Sequence, residues 1–86
     1  MSHRATKRFW ACYAELPNPL RQTANKCFAI LKNDPSHSSL HFKKVGKVWS
    51  VRIGTAHRAL AISDGKDFIW VWIGNHDEYE RIIRGF

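Results

Sequence analysis

The spacing of apolar positions changes twice along the chain. Phe9, Tyr13 and Leu16 recur at i, i+4 and i+7 with Trp10 beside them, which is one apolar face of a helix, and Pro17 closes the run. This predicts a first helix from about residue 5 to residue 16. Asn18 followed by Pro19 reads as an N-cap with proline in the first turn. Leu20, Ala24, Cys27, Phe28 and Leu31 then keep helical spacing until Asn33-Asp34-Pro35 interrupts it. So short a link between two helices predicts an antiparallel hairpin.

After a polar stretch at 35–39 the period becomes two. Residues 40–45 form a candidate strand, Gly46 allows a turn, and Trp49, Val51 and Ile53 alternate with Ser50 and Arg52. Residues 57–62 make a third strand, Ser63-Asp64-Gly65-Lys66 a hairpin turn, and 68–73 an unbroken apolar strand expected near the centre of the sheet. Asn75 with Glu78 three residues on is a variant of the capping box, and it places Tyr79, Ile82 and Ile83 on one face of a closing helix. The predicted order is ααββββα. With 86 residues there is material for one core only. The expectation is therefore a single α+β domain over 1–86, with an N-terminal antiparallel helical hairpin packed on a four-stranded, mainly antiparallel sheet and a short C-terminal helix.

Strand parity assigns faces to the polar residues. Arg52 points away from Trp49, Val51 and Ile53, so it stands on the open face if those three lie under the helices. In the third strand Arg58, Leu60 and Ile62 oppose His57, Ala59 and Ala61, and alternation alone does not say which set meets the helices. The small alanines allow close helix approach, which favours Arg58 beside Arg52. In the last strand, strict alternation sets Phe68, Trp70 and Trp72 against Ile69, Val71 and Ile73, so one face is expected to carry Trp70 and Trp72. An aromatic, arginine-bearing sheet face is suited to stacking nucleobases.

Charge sharpens this. Fourteen Lys and Arg stand against seven Asp and Glu, for a formal +7. Residues 1–33 hold six basic and one acidic side chain and 34–63 five and one, whereas 64–86 hold three and five. Such a field favours a polyanion, either nucleic acid or an acidic protein. No apolar run approaches the length of a membrane span, and MSHRATKRFW lacks the apolar stretch of a signal peptide, so a cytoplasmic protein away from membranes is expected. Cys12 and Cys27 have no metal-binding spacing and fall at apolar helical positions, the pattern of reduced core thiols.

The order of elements, with "LHFKKVGKVWSVRIG", "AHRALAI" and "WIGNHDEYERII", resembles the RelE/ParE toxins of bacterial type II toxin-antitoxin pairs over nearly the whole chain. The resemblance implies a RelE-like fold and a cognate antitoxin, here acidic, that wraps the toxin. Its RelE branch implies a metal- and cofactor-free endoribonuclease that cleaves mRNA in the ribosomal A site, the 2′-OH attacking the neighbouring phosphate. Its ParE branch implies instead a non-catalytic inhibitor of DNA gyrase. A degenerate module that only binds antitoxin is a third reading.

On the nuclease reading, Arg52 and Arg58 clamp phosphate, His76 serves as acid or base, and Tyr79 stacks a base or orients the phosphate. Lys43, Lys44 and Lys47 add field or hold RNA backbone, with Trp70 and Trp72 as stacking surfaces. Each has a plainer alternative. Asp77 and Glu78 suit any helix N-terminus, His76 is then an exposed first-turn residue and Tyr79 core. The two arginines pair with the acidic C-terminal segment. The lysines form a solvated edge that discourages strand pairing, and the tryptophans fill the core. Two departures from the family pattern weigh against the nuclease. Val48 and Ser50 stand where ribosome-dependent members usually have lysines. His76 stands where an arginine is common, with Tyr79 earlier than the family's tyrosine.

Overall fold

The computed structural model describes residues 2–85. Its elements are β1 (His3–Ala5), α1 (Lys7–Ala14), α2 (Asn18–Asn33), a 3-10 turn at Ser38–Leu40, β2 (Lys43–Val45), β3 (Val48–Ile53), β4 (His57–Asp64), β5 (Asp67–Asn75) and α3 (His76–Arg84). The helical hairpin, the four-strand meander and the closing helix are those the periodicity predicts.

A fifth strand is added. β1 pairs parallel to β5, giving the sheet order β1-β5-β4-β3-β2 and placing β5 inside the sheet. Three residues carry too little pattern to announce a strand. They are held by neighbours distant in sequence: Phe68 N–H donates to Ser2 O at 2.9 Å, Thr6 N–H to Trp70 O at 3.0 Å, and Arg4 lies 3.5 Å from the Asp67 carboxylate. The first helix consequently begins later than predicted. Thr6 is its N-cap, its hydroxyl accepting from Phe9 N–H at 3.2 Å. The second begins one residue earlier, with Pro17 as N-cap and Asn18 already helical. The candidate strand at 40–45 shortens to 43–45, because its first residues coil into the 3-10 turn that buries Leu40.

The meander is antiparallel, with Trp49, Val51 and Ile53 opposite Ala61, Ala59 and His57. This face lies under the hairpin. Val51, Ile53, Ala59 and Ala61 are fully buried there with Phe9, Ala24 and Leu31, so the small alanines do admit the helices. Trp70 joins this core and meets Phe28 edge-on at 5.0 Å.

The last strand breaks the expected alternation. Ala61 faces Trp70 and Leu60 faces Trp72, so one step along β4 corresponds to two along β5, and Val71 is the extra residue of a bulge. A one-residue slip moves every later side chain to the other face. Trp72 therefore lies on the face opposite Trp70, and Ile73 takes the hairpin side with Ala59. The predicted face carrying both tryptophans does not form. Trp72 instead builds a second core with Val48, Leu60 and Tyr79, which seats α3 on the sheet through Ile82 and Ile83. Trp70 and Trp72 retain only 3% and 6% exposure, so neither offers a surface for stacking bases.

Candidate functional site

β3 and β4 run antiparallel with Arg52 directly opposite Arg58, and both point to the face away from the hairpin, as parity suggests. Facing residues on adjacent strands have Cβ atoms about 5 Å apart, where like charges repel. Neither guanidinium has a carboxylate within ion-pair distance among the described residues, so the expected pairing with the acidic C-terminal segment is not found. Backbone carbonyls anchor them instead: Arg52 Nε donates to Gly54 O at 2.9 Å and Arg58 Nη1 to His57 O at 3.3 Å. Each fork keeps most of its five donors for another acceptor.

α3 brings the remaining groups to this pair. Asn75 caps it, Oδ1 accepting from Glu78 N–H at 2.8 Å, while Asn75 Nδ2 returns a bond to Glu78 Oε1 at 3.2 Å. The predicted variant of the capping box forms, with the Asn75 side-chain amide rather than its backbone N–H as the donor to Glu78. His76 N–H donates to Ala56 O at 2.8 Å, tying the start of α3 to the loop before β4. Arg58 lies over the Tyr79 ring, 5.8 Å from its centroid, and the His76 imidazole stacks on the same ring at 5.6 Å with planes 27° apart. His76 Nε2 stands 3.1 Å from Glu80 Oε1. Tyr79 is 8% exposed, so its ring is the platform on which Arg58 and His76 rest, and base stacking on it is not open.

The other sequence candidates are dispersed. Lys43 pairs with Ser50 on the arginine face, Lys44 with Trp49 on the hairpin face, and Lys47 lies in the β2–β3 turn; all three are exposed. His57 belongs to the hairpin face, where it lines a cleft of 220 Å³ with Asn75, Gly74 and Glu78. Sequence reasoning missed Glu80, although its i+4 spacing from His76 on a predicted helix was available to find it. Among the described residues no cluster of three or more His, Cys, Asp or Glu side chains is placed to hold a metal ion. Among the described residues no helix is long and apolar enough to cross a membrane.

A buried Tyr79 ring presenting Arg58 and His76, with Arg52 facing Arg58 across the strands, sits on a fold that known proteins share. The family description "ParE-like toxin domain" matches residues 19–81. The chain belongs to the ParE-like toxin family. Solved structures of such toxins superpose on it at low identity, which shows the fold. The RelB–RelE antitoxin–toxin complex of Methanococcus jannaschii matches with TM-score 0.73 at 16% identity, over 92% of this chain and 96% of that one. The YoeB/ParE toxin of Agrobacterium tumefaciens gives 0.67 at 18%, over 88% and 99%. The isolated RelE toxin of E. coli gives 0.63 at 10%, over 98% and 97%. No curated protein matches the sequence.

Proposed function

We propose that this ParE-like toxin domain is the toxin of a toxin-antitoxin pair and acts as an endoribonuclease, cleaving mRNA at a phosphate held between Arg52 and Arg58, with the ribosomal A site as the setting. The observation that carries the reading is the cross-strand arginine pair without a carboxylate: two like charges fixed side by side are relieved by an anion that accepts from both forks. In the reaction the 2′-oxygen of one nucleotide bonds to its own 3′-phosphorus as the P–O5′ bond breaks. This leaves a 2′,3′-cyclic phosphate and a 5′-hydroxyl. His76 takes the 2′-OH proton or supplies the one that departs on O5′, and the arginines neutralise the charge that grows on the phosphorane oxygens. The Tyr79 ring holds Arg58 and His76 in place. Lys43, on the same face, extends the positive field toward the RNA backbone, with Lys44 and Lys47 at the hairpin edge.

The partner that restrains this activity is an antitoxin, as in the solved RelB–RelE complex, and the +7 charge of this chain calls for an acidic one. A second reading, a non-catalytic inhibitor of a protein such as DNA gyrase, draws on the ParE-like description and on Val48 and Ser50, both buried where lysines would serve a ribosome-dependent nuclease.

Inducing the wild type and His76→Ala separately in a bacterial host and mapping new 5′-hydroxyl ends in total RNA tests the reading. Cuts within translated codons that vanish in the variant support it. Growth arrest without new ends gives the protein-target reading its place.

A further inference from the structure

The 220 Å³ cleft at the end of the sheet takes no part in holding the phosphate or in moving a proton. It lies where β4 begins and β5 ends. His57 faces Asn75 there and Arg58 faces Gly74, so the cleft starts one residue from the arginine site on β4. Trp72 and Gly74 reach it from the face that carries Arg58, His57 and Ile73 from the face under the hairpin. The link between α1 and α2 adds Leu16 and Pro17 as a further apolar wall.

The polar lining is rich in acceptors. Glu15 and Glu78 both border the cleft, and among the described residues no ion pair engages either carboxylate. Asn75 Nδ2 occupies Oε1 of Glu78 at 3.2 Å and leaves Oε2. The position of Glu15 stands out in this chain, because it is the one acidic side chain among residues 1–33, against six basic. A carboxylate beside a phosphate clamp weakens the hold on RNA backbone, and what it accepts is a hydrogen-bond donor. Among the described residues no three His, Cys, Asp or Glu groups converge as they would on a metal ion, so the donor that fits is an N–H.

We infer that this cleft reads a guanine base, on the nucleotide whose phosphate Arg52 and Arg58 hold or on its neighbour. Guanine alone among the four bases presents two adjacent donors, N1–H and the 2-amino group, with no acceptor between them, and one carboxylate accepts both. Adenine and cytosine set a ring-nitrogen acceptor beside the amino donor, which a carboxylate repels, and uracil holds its one N–H between two carbonyls. Leu16, Pro17 and Ile73 with the His57 ring provide apolar and aromatic surface for a heterocycle. The volume lies below the roughly 300–1,000 Å³ of sites for drug-sized ligands, which suits a single base. That the guanine belongs to an mRNA rests on the proposed function.

The test titrates the 15N-labelled full chain with the 5′-monophosphates of guanosine, adenosine, cytidine, uridine and inosine, which share one phosphate and differ in the base. Guanosine monophosphate is expected to bind about tenfold more tightly than the others, inosine monophosphate included because it lacks the 2-amino group, with amide shifts at residues 15–16, 56–58 and 74–78. Glu15→Gln and Glu78→Gln together abolish the preference; Glu78→Gln keeps an oxygen to accept from Asn75, so α3 stays capped. Arg58→Gln weakens all five nucleotides alike and leaves the ratio. Equal affinities for the five, shifts confined to Arg52 and Arg58, or a guanine preference unchanged in the double variant overturn the proposal. RNA ends are mapped separately in the induced host. A guanine preference without cuts keeps the base site and removes the nuclease, whereas cuts made by a chain that binds all five nucleotides alike keep the nuclease and remove the base site.

Discussion

Arg52 and Arg58 face each other across β3 and β4 with no carboxylate between them, each held by a backbone carbonyl of its own strand end. The pair is a local electrostatic cost kept in a small fold. Replacing either residue by Gln is therefore expected to leave the chain as stable as the wild type or more stable, by about 0.5 kcal/mol, while abolishing growth arrest. Sulfate or phosphate should raise the wild-type melting temperature more than that of either variant. Thermal melts at fixed ionic strength check this, and an equal salt response in all three proteins removes the anion site.

Gly74 stands opposite Arg58, and a Cβ built on it falls 2.4 Å from Cζ2 of the Trp72 ring. The indole thus occupies the space a side chain would need, and Trp72 is what Tyr79 packs on. Gly74→Ala is expected to push Trp72 aside, lower stability by about 1–3 kcal/mol and disturb the platform under Arg58 and His76. Urea unfolding with the near-UV tryptophan signal as probe measures it. A variant as stable as the wild type with an unchanged tryptophan signal contradicts this packing.

Much of this arrangement is legible in the sequence, for reasons particular residues show. Val51 and Ile53 alternating with Arg52 fixes the face of β3, and the alanines of β4 identify the side the helices approach, so Arg52 and Arg58 are placed together without coordinates. Asn75 and Glu78 announce the start of α3 because a capping box is a local device. The register of β5 is not local. The bulge at Val71 is set by what β4 offers across the ladder, so strict alternation put Trp70 and Trp72 on one face when the fold buries them in two cores. β1 escapes for the same reason: three residues gain their strand conformation from Phe68, Ile69 and Trp70, more than sixty positions away. Of the two roles its sequence position allows for Tyr79, stacking a base or orienting phosphate and filling the core, its burial favours the second.

Asn75 closes the first turn of α3, and that turn carries His76. Asn75→Ala removes the side-chain acceptor for Glu78 N–H and is expected to cost about 1 kcal/mol. His76 stays tied through its own N–H to Ala56 O, so RNA cleavage should fall without vanishing. Asn75→Ser, which can still cap, should restore most of both. Chemical denaturation and end-mapping on the same variants make the comparison, and cleavage lost entirely in Asn75→Ala with stability intact points to a direct role for the amide.

His3 Nδ1 accepts from the Trp70 indole N–H at 3.1 Å, and its ring stacks between Phe68 and Trp70. Burial, then the nearby Lys32 charge, hold the imidazole below its usual 6.5, with Asp67 opposing weakly. The neutral ring is the form the fold uses, since a protonated Nδ1 cannot accept and would leave an indole that is 3% exposed without its partner. Because the folded value lies below the unfolded one, the unfolded chain binds more protons between them, and stability falls as pH drops below 6.5 toward the folded value. Asp67 acts in a separate, more acid window. Its carboxylate is lowered from 3.8, chiefly by bonds from Ser2 and then by Arg4, so its contribution persists above that value and is lost below it. His3→Gln cannot titrate and should flatten the upper window while leaving the lower one. Unfolding free energies measured from pH 7.5 to 3 decide the matter: an upper slope that survives in His3→Gln assigns it to another histidine.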